Sequence, residues 1–153
     1  MSVRTVEGFW SGKEIEKGLI LSIDGASRGN PGEAAVGVVM EEIRHGRSGV
    51  VREVKKTIGV ATNNVAEYKA LLLGLEEAKD LYQGGQITIL TDSQLLQCQI
   101  QGKYRTHNDR LKRLLTQVIE ALHHFEEWRI FHIPREENGR AHRLAHQALM
   151  RER

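Results

Sequence analysis

Three acidic residues stand where a carboxylate can act. Asp24 closes a run of β-formers, residues 19–23, and passes straight into Gly25, Ala26 and Ser27. Asp92 closes a second β-rich run, residues 86–91, and Glu67 falls near the start of a long helical pattern opening at Asn63. Brought into one pocket, three carboxylates repel one another unless a cation is present, and hard divalent ions with oxygen ligands answer that need. Two such ions about 3.5 to 4 Å apart can activate a water on one side of a phosphodiester and stabilise the leaving oxygen on the other. Each acid also has an ordinary structural reading. Asp24 can be a polar residue at a strand end, Asp92 with Ser93 an N-cap signal, and Glu67 the return partner of an N-cap Asn64. Taken singly, none of the three decides the matter.

The elements that must position these acids follow from periodicity. After the opening strand, Arg28 to Gly32 reads as a turn, in which Pro31 fixes φ, glycine tolerates positive φ and Asn30 bonds its own backbone. Residues 34–42 and 48–59 read as two further strands, joined through Arg44, His45, Gly46 and Arg47, making three adjacent antiparallel strands. Alternation through Val50, Arg52, Val54, Lys56 and Ile58 is expected to give the third strand one apolar and one basic face.

A helix is expected over residues 63–82, closed by Gly84 and Gly85. Val65, Tyr68, Leu72 and Leu75 form its stripe, and Glu67, Ala70, Leu71, Gly74 and Ala78 an adjoining face of mostly small residues that lets it lie close to a sheet. Glu67, in the first turn, would then point inward. A short strand over 86–91 leads to a helical segment over 94–101, a basic connection over 102–108 and an amphipathic helix over 109–125. Residues 128–133 make a fifth strand, 134–138 a loop and 139–150 a last helix, with Ala141, Leu144, Ala145, Ala148 and Leu149 facing inward. Five strands with helices after the third, fourth and fifth give a mixed α/β sheet. Right-handed crossovers place the first and fourth strands side by side, with Asp24 beside Asp92.

Length and composition bound the rest. At 153 residues the chain is most economically one domain, residues 19–150, with residues 1–18 as an N-terminal extension. No apolar run approaches the roughly 20 residues needed to span a bilayer, and the first 18 residues lack the apolar centre of a signal peptide. The single cysteine, Cys98, forbids an internal disulfide and fits a reducing compartment, so a cytoplasmic protein is expected. Net charge is +2, but residues 103–153 hold 11 Lys and Arg against 7 Asp and Glu. Lys103, Arg105, Arg110, Lys112 and Arg113 are therefore the candidates for touching phosphates, against the ordinary reading of a solvated helix face.

Four ordered blocks, LILSIDGASRGNPG at 19–32, TNNVAEYKALLLGLEEA at 62–78, ILTDSQLLQCQIQGKY at 89–104 and HIPREENGRAHRLAHQAL at 132–149, resemble the type 1 ribonuclease H family. Residues 102–108 leave no room for the basic helical handle that some members insert, so the likeness is to the handle-less bacterial and archaeal branch. The resemblance implies a ribonuclease H-like fold with strand order 3-2-1-4-5. It also implies endonucleolytic hydrolysis of the RNA strand of RNA–DNA hybrids by two metal ions, Mg²⁺ or Mn²⁺, giving 5′-phosphate and 3′-hydroxyl ends. Asp24, Glu67 and Asp92 would be catalytic metal ligands. Gly25, Ala26, Ser27, Asn30, Asn63, Asn64, Ser93 and Gln94 would contact the hybrid, with Thr62 and Asn30 on a DNA phosphate. A monomer without an obligate protein partner is expected.

One position departs from the pattern. Where the family's fourth block carries an acid, this chain has His142. It can be a neutral metal ligand or proton carrier suited to Mn²⁺ or Zn²⁺ more than Mg²⁺, or it can mark a catalytically silent module that only binds hybrids. His146, one turn later, makes a metal-binding pair possible, although a surface histidine is the ordinary reading. Some relatives carry a histidine in the preceding loop; here Arg135 is the only cationic candidate for that auxiliary role.

Overall fold

The computed structural model describes residues 17–45, 47–82 and 85–151. Five strands, β1 (Lys17–Ser27), β2 (Gly32–Arg44), β3 (Arg47–Ala61), β4 (Gln86–Thr91) and β5 (Glu127–His132), form one sheet in the order β3-β2-β1-β4-β5. The first three pair antiparallel, while β4 runs parallel to both β1 and β5. Helices α1 (Asn63–Leu81), α2 (Gln94–Ile100), α3 (Asp109–Leu122) and α4 (Gly139–Arg151) flank it, with a short 3₁₀ turn, Arg135–Glu137, before α4. Lys17 and Gly18, read from sequence as part of the extension, belong to β1; residues 1–16 lie outside the described residues, as do Gly46 and Gly84 of the expected connections.

Alternation along β1 divides the core. Leu19, Leu21 and Ile23 point into a large apolar cluster with α1 and α3. Ala26 packs with Ala35, Ala145, Ala148 and Leu149 on the α4 side. The small face of α1 permits a close crossing: a Cβ added at Gly74 would stand 2.8 Å from Leu21 Cδ2. Gly74, Leu71 and Ala78 are buried there as the periodicity predicts.

Several local expectations change. Val50, Arg52, Val54, Lys56 and Ile58 stand at alternate positions, which ideal pleating puts on one face, and β3 carries irregularities opposite Ala34/Ala35 and Met40/Glu41 that break its alternation. On the α1 side Arg52 bonds Glu77 and Val54 packs on the main core, whereas Lys55 meets Gln147 of α4. No apolar-versus-basic division results. Helix α3 ends at Leu122 rather than at residue 125; a turn through His123 and His124 then brings Phe125 into the core. Leu144 is only half-buried.

Candidate active site

β1 and β4 run parallel and their pairing ends at Ile23 and Thr91, so Asp24 and Asp92 each emerge at the carboxyl end of neighbouring strands. Ligand sites of open α/β sheets form at such ends. Glu67 arrives from α1, in its second turn rather than its first, because Thr62 is the N-cap and accepts a bond from the Val65 amide. The alternative reading, a capping pair of Asn64 and Glu67, does not form. Glu67 Oε1 instead accepts a bond from the Gly25 amide at 3.1 Å, tying α1 to β1.

Gly25 explains how close this approach is. A Cβ there would lie 2.5 Å from the Ala66 carbonyl carbon, so only glycine lets the α1 backbone cross at this point. A second crossing occurs at Gly37, whose Cβ would stand 2.2 Å from the Ala141 oxygen of α4. That approach carries His142 to Asp24, its Nδ1 lying 2.9 Å from Asp24 Oδ2.

One carboxylate oxygen from each of Asp24, Glu67 and Asp92 lies within 4.8 Å of the other two. Burial, then the negative charge of Asp92, pushes the Asp24 carboxyl up, against the bond from His142. Burial and the Asp24 charge raise Glu67 well above the usual carboxylate range, opposed by the Gly25 amide. Glu67 Oε2 is buried without a hydrogen-bond partner. Burying an unpaired carboxylate oxygen is costly, and an oxygen-seeking divalent cation would satisfy it, so the donor set fits such an ion.

The acids open into a cavity of about 450 Å³, also lined by Gly25, Ala26, Ser27, Asn63, Asn64, Ser93, Arg135, His142 and His146. Asn30, Thr62 and Gln94 are not among its lining residues. The Asn30 Oδ1 accepts from the Asn63 amide instead of bonding its own backbone, and Gln94 is exposed at the start of α2. The Gly25 amide is engaged by Glu67, so what Gly25 and Ala26 can offer a ligand is carbonyl and surface rather than the first amide. Ser27 and Ser93 are engaged locally, with Asn63 Oδ1 and the Leu96 amide. Lys103, Arg105, Arg110, Lys112 and Arg113 are exposed along the connection and α3, outside the cavity lining.

Asn138 was not singled out by sequence. It is buried, and its Nδ2 donates to the Ile23 carbonyl at 2.8 Å and reaches Asp92 Oδ2 at 3.4 Å. Its backbone oxygen accepts from the His142 amide, opening α4. An asparagine just before a helical pattern is an N-cap signal, and that was the available clue. His146 is exposed, with its ring 4.2 Å from that of His142.

Residues 22–148 match the reverse transcriptase-like family. The chain is 47% identical over 126 residues to Ribonuclease HI of Halobacterium salinarum, covering 82% of this chain but 61% of that protein's length. The crystal structure of RNase H1 from the same archaeon superposes with a TM-score of 0.82 at 44% identity, covering 87% of this chain and 98% of the other. LC11-RNase H1, solved in complex with an RNA/DNA hybrid, matches with a TM-score of 0.80 at 32% identity, covering 88% and 98%. With the strand order, the helix placement and these likenesses in agreement, the chain belongs to the ribonuclease H family of reverse transcriptase-like domains.

Proposed function

We propose that this domain hydrolyses the RNA strand of RNA–DNA hybrids internally, leaving 5′-phosphate and 3′-hydroxyl ends. The convergence of Asp24, Glu67 and Asp92 carries the reading, in a chain 44% identical to a ribonuclease H1. Those three would hold Mg²⁺ or Mn²⁺, with His142 standing as the fourth group. Two such ions, when bound with substrate, supply an activated water and a counter-charge for the leaving oxygen.

The chain's own residues prepare the site. The Gly25 amide fixes the Glu67 carboxylate, Asn138 steadies Asp92, and His142 holds Asp24 through Nδ1. When Asp24 is ionised it only accepts, and the imidazole hydrogen then stands on Nδ1. Discrimination of RNA requires contact with the 2′-hydroxyl across a wide minor groove. Gly25, Ala26, Ser27, Asn63, Asn64 and Ser93 offer short neutral groups on the cavity wall for that purpose. Asn30, Thr62 and Gln94 would reach the hybrid beyond the cavity, Asn30 and Thr62 toward a DNA phosphate, and Arg135 would assist at the rim. Contacts of this kind are largely to sugar and phosphate, so little sequence preference is expected. Among the described residues no helix is long and apolar enough to cross a membrane.

The deciding experiment incubates an end-labelled RNA–DNA hybrid with Mg²⁺ and, separately, Mn²⁺. Internal cutting of the RNA strand is expected. Retention of the hybrid on a gel without cutting in either metal would make the domain a silent binding module, and cutting confined to double-stranded RNA or to RNA–DNA junctions would reassign its substrate.

A further inference from the structure

We propose that His142 and His146 form a two-imidazole site for a borderline divalent cation, Zn²⁺ above all, on the rim of the acid cluster, and that filling it silences the cluster. The silencing rests on the nuclease reading; the binding does not.

The two histidines stand four residues apart in α4, on one helix face a turn apart, the spacing at which helical histidine pairs share a metal. Their ring centroids are 4.2 Å apart with the planes tilted by 49°, so the two rings already lie against one another. Asp24 Oδ2 engages His142 Nδ1 at 2.9 Å, which leaves the Nε2 lone pair of His142 unused by that bond. A carboxylate behind an imidazole is the arrangement that fixes tautomer and raises basicity in metal-ligating histidines. Both rings can be reached by a hydrated ion, since the His142 side chain is 34% exposed, His146 is exposed, and both line the cavity. Of the nearby charges, that of a protonated His142 and that of Arg135 oppose a cation at His146, and Asp24 draws one in.

Donor chemistry separates this site from its neighbour. Oxygen donors of the acid cluster suit Mg²⁺, whereas imidazole nitrogens favour Zn²⁺, Cu²⁺ and Ni²⁺. An ion held by the two rings, with Asp24 still on His142 Nδ1, would occupy His142 Nε2 and would place a second positive centre in the space a substrate phosphate needs.

The test compares the whole chain with His146→Gln. With one equivalent of Cu²⁺, electron paramagnetic resonance should show two coordinated imidazole nitrogens in the wild type and fewer in the variant. His123 and His124 are common to both proteins, so only the difference counts. Calorimetry with Zn²⁺ should show a loss of roughly tenfold or more in affinity. In Mg²⁺ both proteins should cut a hybrid at similar rates, and micromolar Zn²⁺ should stop the wild type while sparing the variant. An unchanged copper spectrum, or equal Zn²⁺ sensitivity in both, overturns the proposal. A wild type that cuts nothing in Mg²⁺ defeats the nuclease reading alone, and the copper and calorimetric comparison still decides the histidine site.

Discussion

Asp24 and Gly37 are register partners on β1 and β2, and the missing side chain of the second brings a histidine to the first. Helix α4 rests its Ala141 and Ala145 backbone where a Cβ of residue 37 would be, at 2.2 and 2.7 Å, and His142 thereby reaches Asp24.

Gly37→Ala should therefore act on the site without touching it. The added methyl must lift α4, at a cost typical of overpacking, about 1–3 kcal/mol. Thermal unfolding should record that loss, and hybrid cleavage should fall further than the lost stability accounts for. A variant as active and as stable as wild type would show that α4 can shift without moving His142.

Glu67→Gln should stabilise the metal-free protein and abolish cutting. The folded-state carboxyl is raised well above its ordinary value, so between those two values the native state holds more protons than the unfolded one. Stability then falls as pH rises through that window, and it is fully present only below the ordinary carboxylate range. Glutamine removes this slope while its amide oxygen still accepts from the Gly25 amide. Melting curves at several pH values should show the variant gaining on wild type as pH rises, and a gap that does not change with pH would exclude the titration of Glu67 as its cause. Added Mn²⁺ should narrow the gap by stabilising the wild type more.

Asn138→Ala should cost about 1–3 kcal/mol, because it leaves the buried Ile23 carbonyl without its donor. The freed Asp92 should lower kcat more than it raises KM. Steady-state kinetics on the hybrid would check this, and a pure KM effect would exclude a positioning role.

His142→Asp should shift the metal preference toward Mg²⁺, because an oxygen donor replaces a nitrogen one. Parallel Mg²⁺ and Mn²⁺ titrations of cleavage would reveal the shift, and unchanged curves would count against a metal-facing role for this residue.

The five strands, the place of each helix and the neighbouring of β1 and β4 were legible from local pattern, helical period and crossover handedness, while the full order 3-2-1-4-5 came from the family resemblance. What escaped was set by packing between distant segments. Nothing local says that Gly25 and Gly37 are helix crossings: Gly25 reads as open backbone for the substrate, and Gly37 as an ordinary residue of the second strand. The side chains of Thr62 and Asn30 were read as substrate contacts, while the fold also uses the first to cap α1 and the second to hold its first amide. Asn138 hid in a loop whose importance depends on the Ile23 carbonyl, 115 positions away. The mixed environment of β3 followed from strand irregularities that periodicity alone does not reveal.

The four side chains of the site are contributed by β1, α1, the end of β4 and α4, elements drawn from nearly the whole described chain. On the proposed function, no half of the molecule should retain activity by itself. Function becomes an all-or-none report on complete folding: in a denaturant titration, catalysis and global structure should vanish together, and fragments of the domain should be inert until they reassociate.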